Sequence, residues 1–583
     1  MKHIKSLIFL YLLIFLSGCQ ERNVDWLSYG NNLENQRYSK LSQINEKNVN
    51  NLKLAWQYQT GIKATFQATP LIYKGIMYIS LPYNHVIALN AETGEELWRY
   101  EHQRNLGWKM CCGPSNRGLA IHGSQLFMGT VDARLISLNI KTGEKIWDID
   151  VVENLVTTES ISSLNDIDPN RKKLVSGGTG VGISMAPVVY ENKVIIGITG
   201  VGYGLHVEDA KKDSPLGAVV GVTGRFGRPG FLAAYDIYSG KQIWQFDTIP
   251  NEGWEGEMSN YTRDGESLNR NLLIEKESLE NYPDASKYGG GSAWTTPAID
   301  SETHTLFFGT GNPSPQMSGE SRPGDNLYTV SLIALDANTG KIKWFYQQVP
   351  HDIWGYDVAS PPVLFHTIKE GKVIPVVGQA GKTGWFYINN RDTGELILKS
   401  EAFVPQQNMF AEATKEGTII YPGILGGSNW SPVSLDINEH IAYISGIHAP
   451  IKYMLHEKIS SNNNITTRYT SSEPTDDQQW GLLSAINLSN GRIVWQYKTE
   501  QPLLGGTLAT NGKLVFSGEG NGNLNAFHSL TGKLLWTTKI NAGVNAPPIT
   551  YMVNGKQFIA VAAGGNKIMG YKQGDYINVY SLN

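Results

Sequence analysis

The residues that could most clearly take part in chemistry are two adjacent cysteines, Cys111 and Cys112, and an arginine, Arg117, five positions after the second. Adjacent Cα atoms lie about 3.8 Å apart, whereas disulfides usually join Cα atoms roughly 4.4–6.8 Å apart, so a bond between these cysteines would close a strained ring. Two free buried thiols, or half of a soft-metal site, fit the spacing as well. A zinc site is not favoured, because no third cysteine is available to it. The segment predicts one wall of a cofactor site, where Arg117 could hold an anion.

A repeated motif predicts the elements that position this wall. Each copy has an apolar segment ending in Asn, Asp or His, a glycine four residues later, and a tryptophan four residues after the glycine. A further copy has Leu398 in place of the tryptophan, and Trp56 marks one more unit. The complete copies span residues 90–98, 139–147, 236–244, 336–344, 487–495 and 528–536.

Each copy is typical of two short strands joined by a tight turn, in which glycine supplies a positive φ and tryptophan packs against the neighbouring unit. Eight units of this kind predict an all-β fold, an eight-bladed β-propeller with tryptophan-docking repeats. We expect residues 19–583 to form this propeller as a single domain.

The composition agrees with short strands and excludes one class of partner. The 583 residues include 62 glycines and 10% aromatic residues, a balance that suits turns and strands better than helices. Lys and Arg number 49 against 53 Asp and Glu, for a net charge of −4, and no basic run stands out. Nucleic acid is therefore not an expected partner.

The N-terminus predicts export. Lys2 and Lys5 precede an apolar run over residues 7–16, which is too short to span a bilayer. The sequence then reads Leu-Ser-Gly before Cys19, which resembles the lipobox of bacterial lipoproteins. That resemblance implies removal of residues 1–18 and a lipid on Cys19 that anchors a periplasmic protein to a bacterial membrane. An uncleaved anchor and a plain signal peptide are the alternatives. All three permit a disulfide between Cys111 and Cys112.

Three segments interrupt the repeat. Residues 153–182 and 201–230 are long glycine-bearing insertions that we expect over the central channel, and residues 460–479 are polar and expected to be exposed. The glycine-rich residues 518–522 lie between apolar runs and open no helix, so they indicate a blade turn and not a dinucleotide cradle.

From Asp25 onward, a series of segments, in the same order along the chain, resembles the pyrroloquinoline quinone (PQQ) dependent alcohol dehydrogenases, the quinoprotein family that includes methanol dehydrogenase. The segments are 35–39 (NQRYS), 68–71 (ATPL), 111–112 (CC), 116–118 (NRG), 311–315 (GNPSP), 322–326 (RPGDN), 350–352 (PHD) and 429–430 (NW). The resemblance implies that PQQ lies between a vicinal Cys111–Cys112 disulfide and Trp294. It also implies a rim of polar and cationic groups around the ring, with Gln67 where the family usually has glutamate. The implied rim is Gln67, Arg117, Ser184, Thr199, Gly200, Lys382, Asn429 and Trp430.

The family also holds calcium or a lanthanide beside the quinone, and the matching ligands here are Asn312 and Asp357. Three departures remove negative charge: Gln67 replaces a glutamate, Gly202 stands at a second glutamate position, and Gly355 stands at the position of the catalytic aspartate. Asp357 is then the candidate base as well as a candidate ligand. The insertion residues 208–209 (ED) could fold back to replace the missing glutamate.

The activity implied by the resemblance is oxidation of an alcohol or a sugar, in which a carboxylate takes the hydroxyl proton and hydride passes to PQQ. The chain has no haem motif Cys-x-x-Cys-His, so a separate cytochrome or quinone is expected to accept the electrons. The alternative is a catalytically degenerate propeller lipoprotein with a binding or scaffold role, because the base and two further anionic positions are lost together.

Overall fold

The structure of the protein, a computed structural model, describes residues 23–103, 109–111, 113–114, 116–152, 182–199, 204–206, 229–250, 253–283, 285–314, 316–317, 319–459 and 465–583. The predictions for Cys112, Gly200, Gly202 and residues 208–209, and those for the N-terminal signal and Cys19, fall outside these residues. For Cys111 only the backbone is described.

The described chain is built mainly of short β-strands. One α-helix, α1 (Leu272–Ser278), and four short 3-10 helices (Val49–Asn51, Pro82–Asn84, Leu279–Asn281 and Ala285–Tyr288) accompany them. The strands are β1 (Tyr38–Ser39), β2 (Lys53–Gln59), β3 (Leu71–Tyr73), β4 (Ile76–Ser80), β5 (Val86–Asn90), β6 (Glu96–Tyr100), β7 (Lys109–Cys111), β8 (Ala120–His122), β9 (Gln125–Gly129), β10 (Arg134–Asn139), β11 (Lys145–Asp150), β12 (Val188–Tyr190), β13 (Lys193–Ile198), β14 (Gly204–His206), β15 (Phe231–Asp236), β16 (Gln242–Asp247), β17 (Ala298–Asp300), β18 (Thr305–Gly309), β19 (Ser331–Asp336), β20 (Ile342–Gln347), β21 (Val363–Lys369), β22 (Lys372–Ala380), β23 (Phe386–Asn390), β24 (Leu396–Lys399), β25 (Thr418–Ile420), β26 (Ser434–Asp436), β27 (Ile441–His448), β28 (Ile451–Ile459), β29 (Ile465–Pro474), β30 (Trp480–Asn487), β31 (Ile493–Thr499), β32 (Thr507–Thr510), β33 (Leu514–Gly518), β34 (Asn523–His528), β35 (Leu534–Lys539), β36 (Ile549–Val553), β37 (Lys556–Ala563) and β38 (Tyr576–Ser581).

The strands pair into successive antiparallel sheets along the chain, which confirms the all-β propeller architecture. Among the described residues, seven sheets have four strands and one has five. The N-terminal strand β2 pairs with β38, so the last sheet is completed by the start of the chain and the ring is closed. Two smaller sheets, β7 with β14 and β25 with β28 and β29, stand outside this series.

The repeated tryptophans join neighbouring sheets as the sequence predicts. In six of them the indole nitrogen donates to a backbone carbonyl of the next sheet, and the indole lies on the glycine of the next copy of the motif. A Cβ built on that glycine would come within 2.5–3.2 Å of the ring, so only glycine allows this approach. Leu398 takes the same place against Gly491. Trp536, in the last copy, instead packs edge-to-face against Tyr580. The donor and acceptor residues are Trp56 and Ala91, Trp98 and Ile140, Trp147 and Ile237, Trp244 and Ala337, Trp344 and Arg391, and Trp495 and Ser529.

The third strand of each sheet is more deeply buried than the fourth. In the first complete sheet, β5 is almost wholly buried, whereas the residues of β6 are exposed or half-buried. An inner strand is covered by both neighbouring sheets, which explains why it reads as a continuous apolar run. The predicted exposed segment 460–479 contains the long strand β29, paired with β28, and its described part from residue 470 is largely exposed.

The insertion at residues 201–230 approaches the cysteine segment. Its strand β14 pairs with β7, and Gly204 lies opposite Cys111 in the register. Residues 518–522 form the β33–β34 turn, as expected for a blade turn. In the part of the chain that the structure describes, no helix is long and apolar enough to cross a membrane.

Candidate cofactor site

The fold explains why site residues that are far apart in sequence meet. They occupy two positions of the repeat, shortly before the first strand of a sheet or just after the second strand. Because these two strands are antiparallel, both positions lie at the same end of the ring. Gln67, Ser184, Trp294 and Trp430 each stand four residues before a first strand. Thr199, Asn312 and Lys382 follow second strands within three residues.

Arg117 is the centre of one side of the site. Its side chain donates to Ser184 Oγ at 2.9 Å and to the Trp294 carbonyl oxygen at 3.1 Å. The guanidinium lies 5.1 Å from the centre of the Trp294 ring and 5.4 Å from that of Trp430. The two indoles also share an apolar cluster with Leu425. A fixed fork-shaped cation between aromatic rings is a suitable binding group for the carboxylate of a flat ligand.

Lys382 is the centre of a second group of contacts. Its ammonium donates to Asp357 Oδ2 at 2.7 Å and to the Gly355 carbonyl oxygen at 2.9 Å. The second carboxylate oxygen, Oδ1, accepts the backbone N–H of Asn312 at 2.6 Å. The structure thus brings together Asn312, Asp357 and Lys382, as the sequence interpretation requires.

Two buried polar atoms near Arg117 test whether the site fits PQQ. Among the described residues, Gln67 Oε1 and Trp430 Nε1 are buried and have no hydrogen-bond partner. Gln67 lies two residues before Thr69, whose backbone N–H donates to the Arg117 carbonyl oxygen. A buried polar atom without a partner costs about 1–3 kcal/mol, which a polar ligand would recover. Aromatic faces, two cations and unsatisfied polar atoms together fit a planar ligand with three carboxylates.

Other predicted rim residues have local structural contacts. Asn429 donates to the Leu425 carbonyl oxygen at 2.8 Å and accepts the Trp430 N–H at 2.9 Å, so its amide holds the turn that positions Trp430. Thr199 Oγ1 accepts the Gly182 N–H at 2.8 Å and donates to the Gly182 carbonyl oxygen at 3.1 Å. It therefore ties Gly182, the last residue of the first insertion, to the end of β13. The contacts of both residues with PQQ stay predictions.

Gly355, at the expected base position, is held by its surroundings. Its φ of +84° lies in the left-handed region, and an added Cβ would lie 2.5 Å from Gln316 Nε2 and 3.2 Å from Ile424 Cγ1. The buried Asp352 carboxylate fixes this turn by accepting the N–H groups of Gly355 and Tyr356. Burial raises the pKa of Asp352 to about 6, against the backbone hydrogen bonds that lower it.

Sequence reasoning missed Gln316 and Asp352. Asp352 belongs to a segment that resembles the family, but its buried capping role follows from the turn geometry. Gln316 lies directly after the 311–315 segment, and its proximity to Gly355 depends on how the two loops cross. The glycine at position 355 was the signal that a different side chain could fill the space there.

The described donor set does not fit a calcium or lanthanide ion. No group of three or more His, Cys, Asp or Glu side chains that could hold a metal occurs within the described ranges. Calcium takes six to eight oxygen ligands, several of them carboxylate oxygens. Here the Asp357 carboxylate already pairs with the Lys382 ammonium. A divalent cation 4 Å from an ammonium is repelled by about 8 kcal/mol at an effective dielectric constant of about 20.

Comparison with known proteins gives the family. The family described as "PQQ: glucose/ethanol/alcohol dehydrogenase, beta-propeller domain" matches residues 26–414 and 401–559. A quinohemoprotein alcohol dehydrogenase of Comamonas testosteroni is 31% identical over 95% of this chain and 75% of its own. The quinoprotein alcohol dehydrogenase PedH of Pseudomonas putida is 31% identical over 92% of this chain and 85% of its own.

Solved structures show the same likeness. The quinohemoprotein alcohol dehydrogenase of Comamonas testosteroni superposes with a TM-score of 0.77 at 28% identity, covering 97% of this chain and 81% of that one. A europium-containing methanol dehydrogenase gives a TM-score of 0.76 at 25% identity, covering 96% and 98%. These relatives support the interpretation of the chain as an enzyme. The chain belongs to the PQQ-dependent glucose, ethanol and alcohol dehydrogenase β-propeller family.

Proposed function

We propose that this protein is a periplasmic, lipid-anchored PQQ-dependent dehydrogenase that oxidises an alcohol or a sugar and passes the electrons to a separate acceptor. The observation that carries the proposal is that one short segment, residues 424–430, contacts both groups of the site. Leu425 clusters with the two indoles beside Arg117, and Gly426 lies against Lys382 of the Lys382–Asp357 pair. The names of the relatives support an alcohol as substrate, and a separate cytochrome or quinone is the proposed acceptor. We further propose one eight-bladed domain over residues 19–583, which the eight sheets of four or five strands support.

PQQ, when bound, supplies a two-electron hydride acceptor. Trp294 would cover one face of the ring, and Cys111 and Cys112 are proposed to cover the other. Arg117 would bind a carboxylate as a fixed fork, and Lys382 would hold a rim oxygen.

Asp357 is the proposed proton acceptor for the substrate hydroxyl. Both of its oxygens already accept hydrogen bonds, from Lys382 and from the Asn312 N–H. These bonds fix the orientation of the carboxylate, and the remaining lone pairs can accept a hydroxyl proton. Transfer of that proton would weaken its attraction to Lys382.

The direct test is reconstitution of the purified protein with PQQ, followed by reduction of an artificial electron-accepting dye with primary alcohols and aldoses. We expect dye reduction by wild type, and a fall of about 10²–10⁴-fold in kcat for Asp357→Asn with PQQ binding retained. Asp300→Asn is a matched control, because it also neutralises a buried aspartate of an ion pair, with Arg391, but lies between two sheets away from the site.

The absence of a carboxylate at position 355 favours one alternative, a propeller that binds PQQ without turnover. Gly355 carries no carboxylate, and Gln316 fills the adjacent space. PQQ binding without dye reduction for any substrate would establish that alternative and refute the enzyme proposal.

The location has its own test. Radiolabelled palmitate should label the wild-type protein in bacterial cells, and Cys19→Ser should abolish the label and release the protein from the membrane fraction. Equal labelling of both proteins would contradict the lipid anchor at Cys19.

A further inference from the structure

The described carboxylate of the site is already neutralised by a fixed cation. Lys382 is buried, with 5% of its surface exposed. Within the described part of the chain, its ammonium donates to two oxygens of one turn, Asp357 Oδ2 and the Gly355 carbonyl oxygen. The stem of the side chain is also fixed: a Cβ built on Gly426 would come within 2.3–2.6 Å of the Cα, Cβ and Cγ atoms of Lys382. The lysine therefore has little freedom to leave the carboxylate.

The charge balance of the turn follows from two positions. Gly355 contributes a neutral carbonyl oxygen where the family resemblance places a second carboxylate. Asp357 contributes one negative charge, and Lys382 balances it with one positive charge. A divalent or trivalent ion added to these described residues would bring charge with no carboxylate left to balance it.

We infer that this site binds PQQ without a calcium or lanthanide ion, and that the Lys382 ammonium, paired with Asp357, is the cation of the site. The inference rests on the proposed function, because it concerns the same pocket. It separates this chain from relatives such as the europium-containing methanol dehydrogenase.

The first experiment needs no PQQ. Terbium is titrated into the chelator-treated, purified protein, and its luminescence is followed with excitation of tryptophan, several of which surround the site. A lanthanide site should bind terbium with a Kd below about 10 µM, which corresponds to a binding free energy of about −7 kcal/mol. Wild type should show no saturable 1:1 binding in that range. A saturable 1:1 terbium site in wild type that Asp357→Asn removes would overturn the inference.

Removing the lysine should uncover the carboxylate. Lys382→Met is expected to raise terbium affinity at least about tenfold, because it frees Asp357 from its counter-ion. Arg391→Met is the matched control, since it also strips a buried carboxylate, Asp300, of its cation, but far from Asn312. An equal gain in both variants, or none in Lys382→Met, would contradict the assignment of Lys382. Lys382→Gln replaces Lys382→Met if the latter does not show a cooperative thermal transition.

The second experiment compares PQQ binding with EDTA against binding with added calcium or lanthanum. Equal affinity for PQQ under both conditions, within about twofold, supports the inference, because a metal that held PQQ would change its affinity by at least about tenfold. Binding only with metal overturns the inference and leaves the proposed function intact. Failure of PQQ to bind under every condition refutes the proposed function, and the terbium titration then decides separately whether Lys382 closes the metal position.

Discussion

Restoring an aspartate at position 355 is expected to destabilise the protein, even though it returns the residue that the family resemblance places there. The backbone at Gly355 has a φ of +84°, and its Cβ would lie 2.5 Å from Gln316 Nε2. A side chain in the left-handed region costs about 1–2 kcal/mol, and moving Gln316 off its rotamer adds about 0.5–1.5 kcal/mol. We therefore expect Gly355→Asp to lower the free energy of unfolding by about 2–3 kcal/mol.

Urea denaturation of four variants separates the two contributions. Gly355→Ala adds a Cβ without charge and should cost nearly as much as Gly355→Asp, whereas Gln316→Ala alone should cost little because its side chain is only partly buried. The double variant Gly355→Asp with Gln316→Ala should recover about 1 kcal/mol of the loss. In the PQQ-loaded double variant, the second carboxylate should also raise dye reduction by at least about tenfold.

Two outcomes would refute this reasoning. A Gly355→Asp protein as stable as wild type would show that neither the backbone nor Gln316 restricts position 355. A double variant no more stable than Gly355→Asp alone would show that Gln316 does not fill the space for a side chain.

Two further predictions concern the scaffold. Trp244→Ala should lower the free energy of unfolding by about 3–5 kcal/mol in urea denaturation, because it removes the indole that packs on Gly340 and bonds the next sheet; a loss below about 1 kcal/mol would contradict the docking role. Burial lowers the pKa of His351 to about 3, with Arg322 nearby adding to the effect, while burial raises that of Asp352 to about 6. Between about pH 4 and 6 the unfolded state binds one more proton than the native state at His351 and one fewer at Asp352, so their effects on stability cancel. In His351→Gln only the aspartate remains, and stability should fall by about 1.4 kcal/mol per pH unit as the pH rises through this window, whereas an unchanged pH profile would contradict these shifts.

The sequence allowed the architecture to be predicted because its signal is repeated. The spacing of glycine and tryptophan recurs around the ring, and six of the tryptophans meet the glycine of the next copy through one type of contact. The deviant copy with Leu398 could also be placed, since its glycine and turn are intact. A contact that depends only on residue spacing within a repeat can be predicted from a single amino-acid sequence.

The site could be predicted only in part. Arg117, Ser184 and Trp294 meet as the resemblance implies, because their positions before first strands are fixed by the repeat. The pairing of Lys382 with Asp357, and the approach of Gln316 to Gly355, depend on how long loops cross at the end of the ring. No spacing in the sequence determines those crossings, so these contacts follow only from the three-dimensional structure.

The central claim is that Arg117 and Lys382 form a PQQ site between aromatic faces, and calorimetric titration of PQQ into the purified protein tests it most directly. We predict 1:1 binding by wild type, weakened about 30- to 1,000-fold in Arg117→Met, as expected when about 2–4 kcal/mol of a buried charged contact is lost. Arg391→Met, which removes an equally buried arginine elsewhere, should bind as wild type does. Folded wild-type protein that fails to bind PQQ, or binding that survives Arg117→Met unchanged, would contradict the account.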